Sequence, residues 1–122
     1  MRATNVIDSF RYAIDGLGHL FRTQRNARIH AALGTVVIVC GALFHIERLE
    51  WVAVAGVITL MLVVEGLNTA IEAVVDLVSP TYHRYAKIAK DVAAGAVLLS
   101  ALGAIIVGAL IFLPRLWALL AP

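Results

Sequence analysis

The sequence predicts an all-α membrane protein in which an amphipathic surface helix precedes three transmembrane helices. Hydrophobic residues make up 61% of the 122 positions, well beyond the share in a soluble domain. Segments 29–46, 51–78 and 82–113 each contain an apolar run long enough to cross a hydrocarbon core of about 30 Å at roughly 1.5 Å per residue. Ahead of them, residues 5–22 repeat their apolar side chains at helical spacing. No internal repeat or low-complexity linker interrupts the chain, so residues 1–122 read as one domain.

In the surface helix, Ile7, Phe10, Ile14, Leu17 and Phe21 fall on one side and Asp8, Tyr12, Asp15 and His19 on the other. Such a helix lies on a membrane surface or packs on the bundle, and the pattern alone does not choose. No continuous apolar core of signal-peptide length occurs before Arg22, so the segment reads as part of the mature protein. Arg22, Arg25 and Arg28 lead into the first crossing, in which Cys40 reads as a small buried hydrophobe. Glu47-Arg48-Leu49-Glu50 is a short charged turn, and Trp51 stands where an interfacial anchor is expected. The second crossing, at roughly 42 Å, exceeds the hydrocarbon thickness, so its last turns emerge toward the headgroups. Ser79-Pro80 breaks it, Thr81 is placed to cap the next helix, and Pro114 is expected to end that helix. Along the third crossing Ala96, Ser100, Ala104 and Gly108 form a row of small side chains suited to close helix contact. Arg2, Arg11, Arg22, Arg25, Arg28, Arg84, Lys87 and Lys90 lie at one membrane face, against Arg48 and Arg115 at the other, which predicts a cytoplasmic N-terminus and an outward C-terminus.

The stretch 65–91, EGLNTAIEAVVDLVSPTYHRYAKIAKD, carries most of the chemistry. At about 100° per residue, Glu65, Asn68, Glu72 and Asp76 fall within roughly 80° of arc, one polar stripe on an otherwise apolar helix. Glu65 comes about 21 Å along the second crossing, still in the core, whereas Glu72 and Asp76 reach the interface. A carboxylate in an apolar span is kept for a proton step, a polar substrate or a basic partner on a neighbouring helix. Glu72 suits a divalent cation through oxygen, or is a solvated interfacial carboxylate. Asn68 orients Glu65 or a substrate hydroxyl, or bonds across helices. Asp76 and Asp91 are placed to pair with Lys87 or Lys90, and Lys90 neutralises a phosphate or serves only as a topological charge. Carboxylates at helical spacing with two lysines at a membrane edge suit phosphoryl transfer to a lipid, which needs a base, a metal and cations. The sequence has no GxxxxGK[ST] loop, protein-kinase glycine loop, HRD triplet or HExxH, so any nucleotide site is built from helices.

The run Glu65–Leu99, with E-x-x-N-x-A-I-E-x-x-V-D, then Y-H-x-x-A-K-x-A-K-D and A-G-A-V-L, resembles the signature region of the small prokaryotic diacylglycerol kinase family. SFRYAIDGL at 9–17 and RNARIH at 25–30 resemble its undecaprenol kinase branch more than its diacylglycerol kinase branch. The resemblance implies a homotrimer with active sites shared between neighbours on the cytosolic face, acting on a membrane lipid alcohol with Mg²⁺ and ATP. It implies that Glu65 is the catalytic base, supported by Asn68, and that Glu72 is a metal and ATP ligand. It places Tyr82, His83, Lys90 and Asp91 in the nucleotide-contacting segment and makes Tyr12 a further ATP contact.

One position departs from the pattern. The family motif before the first crossing usually reads T-E-R-N, its Glu being a second metal ligand and ATP contact, and here the run is Thr23-Gln24-Arg25-Asn26. An amide oxygen can still coordinate but lacks the charge that makes Mg²⁺ binding strong. A weakened site, a different second carboxylate and an inactivating change are all compatible with Gln24. The acceptor expected from the resemblance is undecaprenol, with diacylglycerol as the alternative. From another class, a non-enzymatic three-helix channel or scaffold would use the same stripe to line an interface.

Overall fold

The computed structural model describes residues 4–121, and Arg2, one of the basic residues counted above, lies outside them. Four α-helices account for nearly all of these residues. The first, α1 (Val6–Thr23), opens on Asn5, whose side-chain oxygen accepts from the Asp8 backbone N–H at 2.8 Å. Ile7, Phe10, Ile14 and Leu17 leave its apolar face open, whereas Leu20 is buried against the bundle. Gln24 breaks the helix with an extended backbone. Arg28 closes this corner by donating from Nη1 to the carbonyls of Phe21 (2.8 Å) and Arg22 (3.0 Å), which a helix end otherwise leaves to water.

Helix α2 (Arg25–Phe44) starts four residues before the expected crossing and stops two residues short of its expected end. His45 takes a left-handed conformation, φ 53 and ψ 51, and ends the helix there, turning Ile46 into the core. The charged turn then belongs partly to α3 (Arg48–Val78), because Glu47 and Glu50 form a reciprocal capping box over its first turn. Trp51 does not point outward as an anchor: its ring lies over Gly41, and it joins a cluster of Ile46, Val54 and Ile111 with Phe44 and Phe112. The rings of Phe44 and Phe112 meet edge-on at 6.0 Å, tying α2 to the last helix.

That last helix, α4 (Arg84–Leu120), corrects two expectations. Its cap is His83, whose Nδ1 accepts the Tyr85 backbone N–H at 3.1 Å, and not Thr81. Pro114 lies inside the helix instead of ending it. Proline removes one intrahelical hydrogen bond, but apolar surroundings reward keeping all the others, and Arg115 Nη1 donates to the Ile111 carbonyl beside the gap at 2.7 Å. The same guanidinium grips Glu50 at 2.6 and 2.7 Å, joining the C-terminal end of α4 to the start of α3.

Helices α2, α3 and α4 are each long and apolar enough to cross a membrane. The widest packing is α3 on α4, with α2 on α3 next and α1 touching α2 and α3. On the small-residue row of α4, Ser100 is buried and, with Ala96 and Ala104, faces Val57, Leu60 and Val64 of α3. The row therefore faces a helix as expected, although the contact leaves space beside it: a Cβ on Gly108 would meet no atom within 4 Å.

Candidate active site

The polar stripe of α3 ranges from fully buried to open. Glu65 is 1% exposed and Asn68 8% exposed, held between α3 and the neighbouring helices, while Asp76 reaches solvent. Ala27 of α2 is also without exposed surface. Glu65 has no basic partner among the described residues, so it does not serve as half of an ion pair within one chain. Its Oε2 is buried without a hydrogen bond, as is Asn68 Oδ1. Unpartnered buried oxygens are costly and point to a missing ligand, proton or neighbour.

Asn68 turns its amide to Glu72 and not to Glu65: Nδ2 donates to Glu72 Oε1 at 3.3 Å. The amide thereby holds a half-buried carboxylate two turns beyond the buried one. The backbone carbonyl of Glu65 accepts from the Thr69 hydroxyl at 2.9 Å, a local bond that the sequence pattern did not single out.

Beyond Glu72 the stripe meets the start of α4. Lys90 Nζ lies 2.5 Å from Asp76 Oδ1, and Lys87 Nζ lies 2.5 Å from Asp91 Oδ2. Both acids thus find the lysines that their positions anticipated. Around them is an open cavity of about 380 Å³, lined by Tyr82, His83, Asp76, Lys87, Lys90 and Asp91. The His83 ring stacks on Tyr85 at 5.8 Å with 27° between planes, which fixes an aromatic wall beside the charges. This cavity offers cations for phosphate oxygens, a ring surface and carboxylate oxygen at the solvent end of the stripe.

Tyr12 and Gln24 do not line this cavity, and neither do Glu65, Asn68 and Glu72. Tyr12 sits half-exposed on α1, and Gln24 lies at the α1–α2 corner with its amide donating to the Thr23 hydroxyl at 3.5 Å. Nor do three or more His, Cys, Asp or Glu side chains converge on a metal position among the described residues. A magnesium ion that keeps its waters and takes phosphate oxygens needs only one or two protein carboxylates, so Glu72 fits that limited role. Sequence reasoning missed Arg28, whose two carbonyl contacts set the corner carrying Gln24, because a basic residue at a membrane edge gives the same pattern whatever it bonds. It also missed His30, whose Nδ1 is buried in the bundle without a partner.

Comparison with known proteins adds to this geometry. The prokaryotic diacylglycerol kinase family matches residues 11–112. A diacylglycerol kinase of Synechocystis is 50% identical over 119 residues, covering 97% of this chain and 68% of the relative. An undecaprenol kinase of Bacillus subtilis is 45% identical over 108 residues, covering 88% of each chain. A diacylglycerol kinase of Escherichia coli is 29% identical over 103 residues, covering 84% of each.

Proposed function

Because this chain belongs to the prokaryotic diacylglycerol kinase family, and is therefore a membrane lipid kinase with ATP as its phosphoryl donor, we propose that it converts undecaprenol to undecaprenyl phosphate. The observation that carries the assignment of roles is Glu65, a carboxylate 1% exposed in an apolar span with Oε2 unpartnered. It takes the proton of the lipid hydroxyl as that oxygen attacks the γ-phosphorus in line, the bond to the β-phosphate oxygen breaks, and ADP leaves. Lys90 neutralises charge on the phosphates, and Tyr82, His83 and Asp91 line the nucleotide side of the cavity. Asn68 sets Glu72, the protein carboxylate for the metal, with the Gln24 amide oxygen as a weaker second donor. Mg²⁺ held by Glu72 would supply charge neutralisation at the phosphates.

The assembly that goes with this reading is a homotrimer in which a neighbour shares in each nucleotide site, with Tyr12 as a further contact to ATP. Eight of the ten Lys and Arg residues fall at the face holding the N-terminus and the α3–α4 loop, which supports a cytoplasmic site and N-terminus and an outward C-terminus. The single domain spans the chain.

Undecaprenol is favoured by the relative that matches over most of both chains and acts, by its name, on that alcohol. Diacylglycerol, giving phosphatidic acid, is the second reading, favoured by the higher identity of the Synechocystis relative. Labelled ATP incubated with membranes holding the protein and a panel of lipid alcohols separates them. Label on undecaprenol is the expected result; label on diacylglycerol alone overturns the substrate, and no labelled lipid overturns the activity.

A further inference from the structure

Lys87 has no part in the chemistry above, although it lines the charged cavity at the solvent end of the stripe. It stands three residues before Lys90 on α4, about 4.5 Å nearer the start of the helix and on nearly the same side. Among the described residues lining that cavity, Lys87 and Lys90 are the cations and Asp76 and Asp91 the anions. Lys90 reaches across to Asp76 on α3, whereas Lys87 reaches one turn along its own helix to Asp91, each at 2.5 Å. The formal charges cancel, so an incoming anion finds a free cation only when a lysine changes partner. The Lys87–Asp91 pair is the one that opens at least cost. Its side chains are 60% and 63% exposed, so water screens the attraction, and it ties no helix to another.

We infer that Lys87 is a second phosphate-binding residue, which leaves Asp91 and takes the phosphates that ATP and ADP have in common. The inference rests on the nucleotide reading of this cavity. Position along the helices gives the two lysines different phosphates. Asp76, which Lys90 holds, follows Glu72 by one turn on α3, and Glu65 lies two turns deeper than Glu72. Lys90 is therefore on the side of the proposed metal carboxylate and base, where the γ-phosphate reacts. Lys87, one turn nearer solvent, faces the part of the nucleotide that departs as ADP. Lysine suits an exchange of partners, because Nζ is a point charge on a flexible stem and swings from carboxylate to phosphate without moving the helix. Mg²⁺ cancels only part of the charge on a triphosphate, which leaves a use for both lysines.

The test is equilibrium binding to the full-length protein in an uncharged detergent, with no lipid acceptor present. The probes are MgADP and the Mg²⁺ complex of an ATP analogue carrying a methylene bridge between its β- and γ-phosphates. Lys87→Met is expected to weaken both by about tenfold, the worth of one charge-assisted hydrogen bond, and to flatten the salt dependence of ADP binding. Lys87→Arg, which keeps the charge, is expected to bind ADP within about threefold of the parent. Lys90→Met is expected to weaken the triphosphate analogue more than ADP. An unchanged ADP affinity in Lys87→Met leaves the lysine to Asp91 or to a lipid headgroup and overturns the assignment. A loss confined to the triphosphate analogue, or one accompanied by a lower thermal midpoint, overturns it as well. The titration stands apart from the lipid-labelling assay. ADP bound through Lys87 by a protein that labels no lipid would overturn the lipid-kinase step and not this contact, whereas a parent protein that binds neither probe overturns both.

Discussion

Lys90 Nζ and Asp76 Oδ1 meet at 2.5 Å and join α4 to α3 across the loop at the rim of the charged cavity. Their side chains are 41% and 65% exposed, so solvent screens the pair and it adds little to stability. The lysine is instead held where a phosphate can take it over from the aspartate. Replacing Lys90 by Met is expected to raise the KM for ATP at least tenfold while the thermal midpoint in detergent stays in place. A lowered midpoint with unchanged KM would mark the pair as structural only.

Glu65→Gln is expected to abolish lipid phosphorylation, because an amide cannot accept the hydroxyl proton, and to leave folding intact, because the replacement has nearly the same shape in a site with no cationic partner. Activity measured with saturating lipid and ATP, alongside thermal unfolding, decides it. Turnover near the parent level would remove Glu65 as the base.

Gln24→Glu restores a charge at the α1–α2 corner. Carboxylate oxygen binds Mg²⁺ more strongly than amide oxygen, so the Mg²⁺ concentration giving half-maximal activity is expected to fall several-fold. An unchanged metal titration would take residue 24 out of the site.

The long apolar runs and the polar stripe were legible because both rest on periodicity and on the cost of polar groups in lipid. Ends were less so. Pro114 reads as a stop in water, where the freed carbonyl can be hydrated, but within an apolar bundle the helix runs on to Leu120 beside the Arg115 contacts. The cap of α4 went to His83 because a side-chain rotamer, not residue type alone, brings Nδ1 to the Tyr85 N–H. Within the site, the spacing put Asn68 between two carboxylates, one turn from each, and only side-chain geometry shows that its amide serves Glu72. Arg28 and His30 stand in the RNARIH run, but the run gave no sign of their surroundings, since Arg28 bonds backbone carbonyls and His30 Nδ1 is buried without a partner.

The α2–α3 hairpin supplies the last prediction. A Cβ on Gly41 would stand 2.8 Å from Trp51 Cη2 and 3.0 Å from Ile46 Cδ1, both closer than packed carbon atoms allow. Neither neighbour moves freely, because Trp51 and Ile46 belong to the cluster with Val54 and Ile111. Gly41→Ala is therefore expected to lower stability by about 1–3 kcal/mol through overpacking. Gly56, also inside a helix, has nothing within 4 Å of an added Cβ. There alanine removes backbone freedom from the unfolded chain without a clash, and a gain of up to about 1 kcal/mol is expected. Unfolding midpoints of the two variants in the same detergent should move in opposite directions; a harmless Gly41→Ala would mean that Trp51 does not pack on α2 at this point.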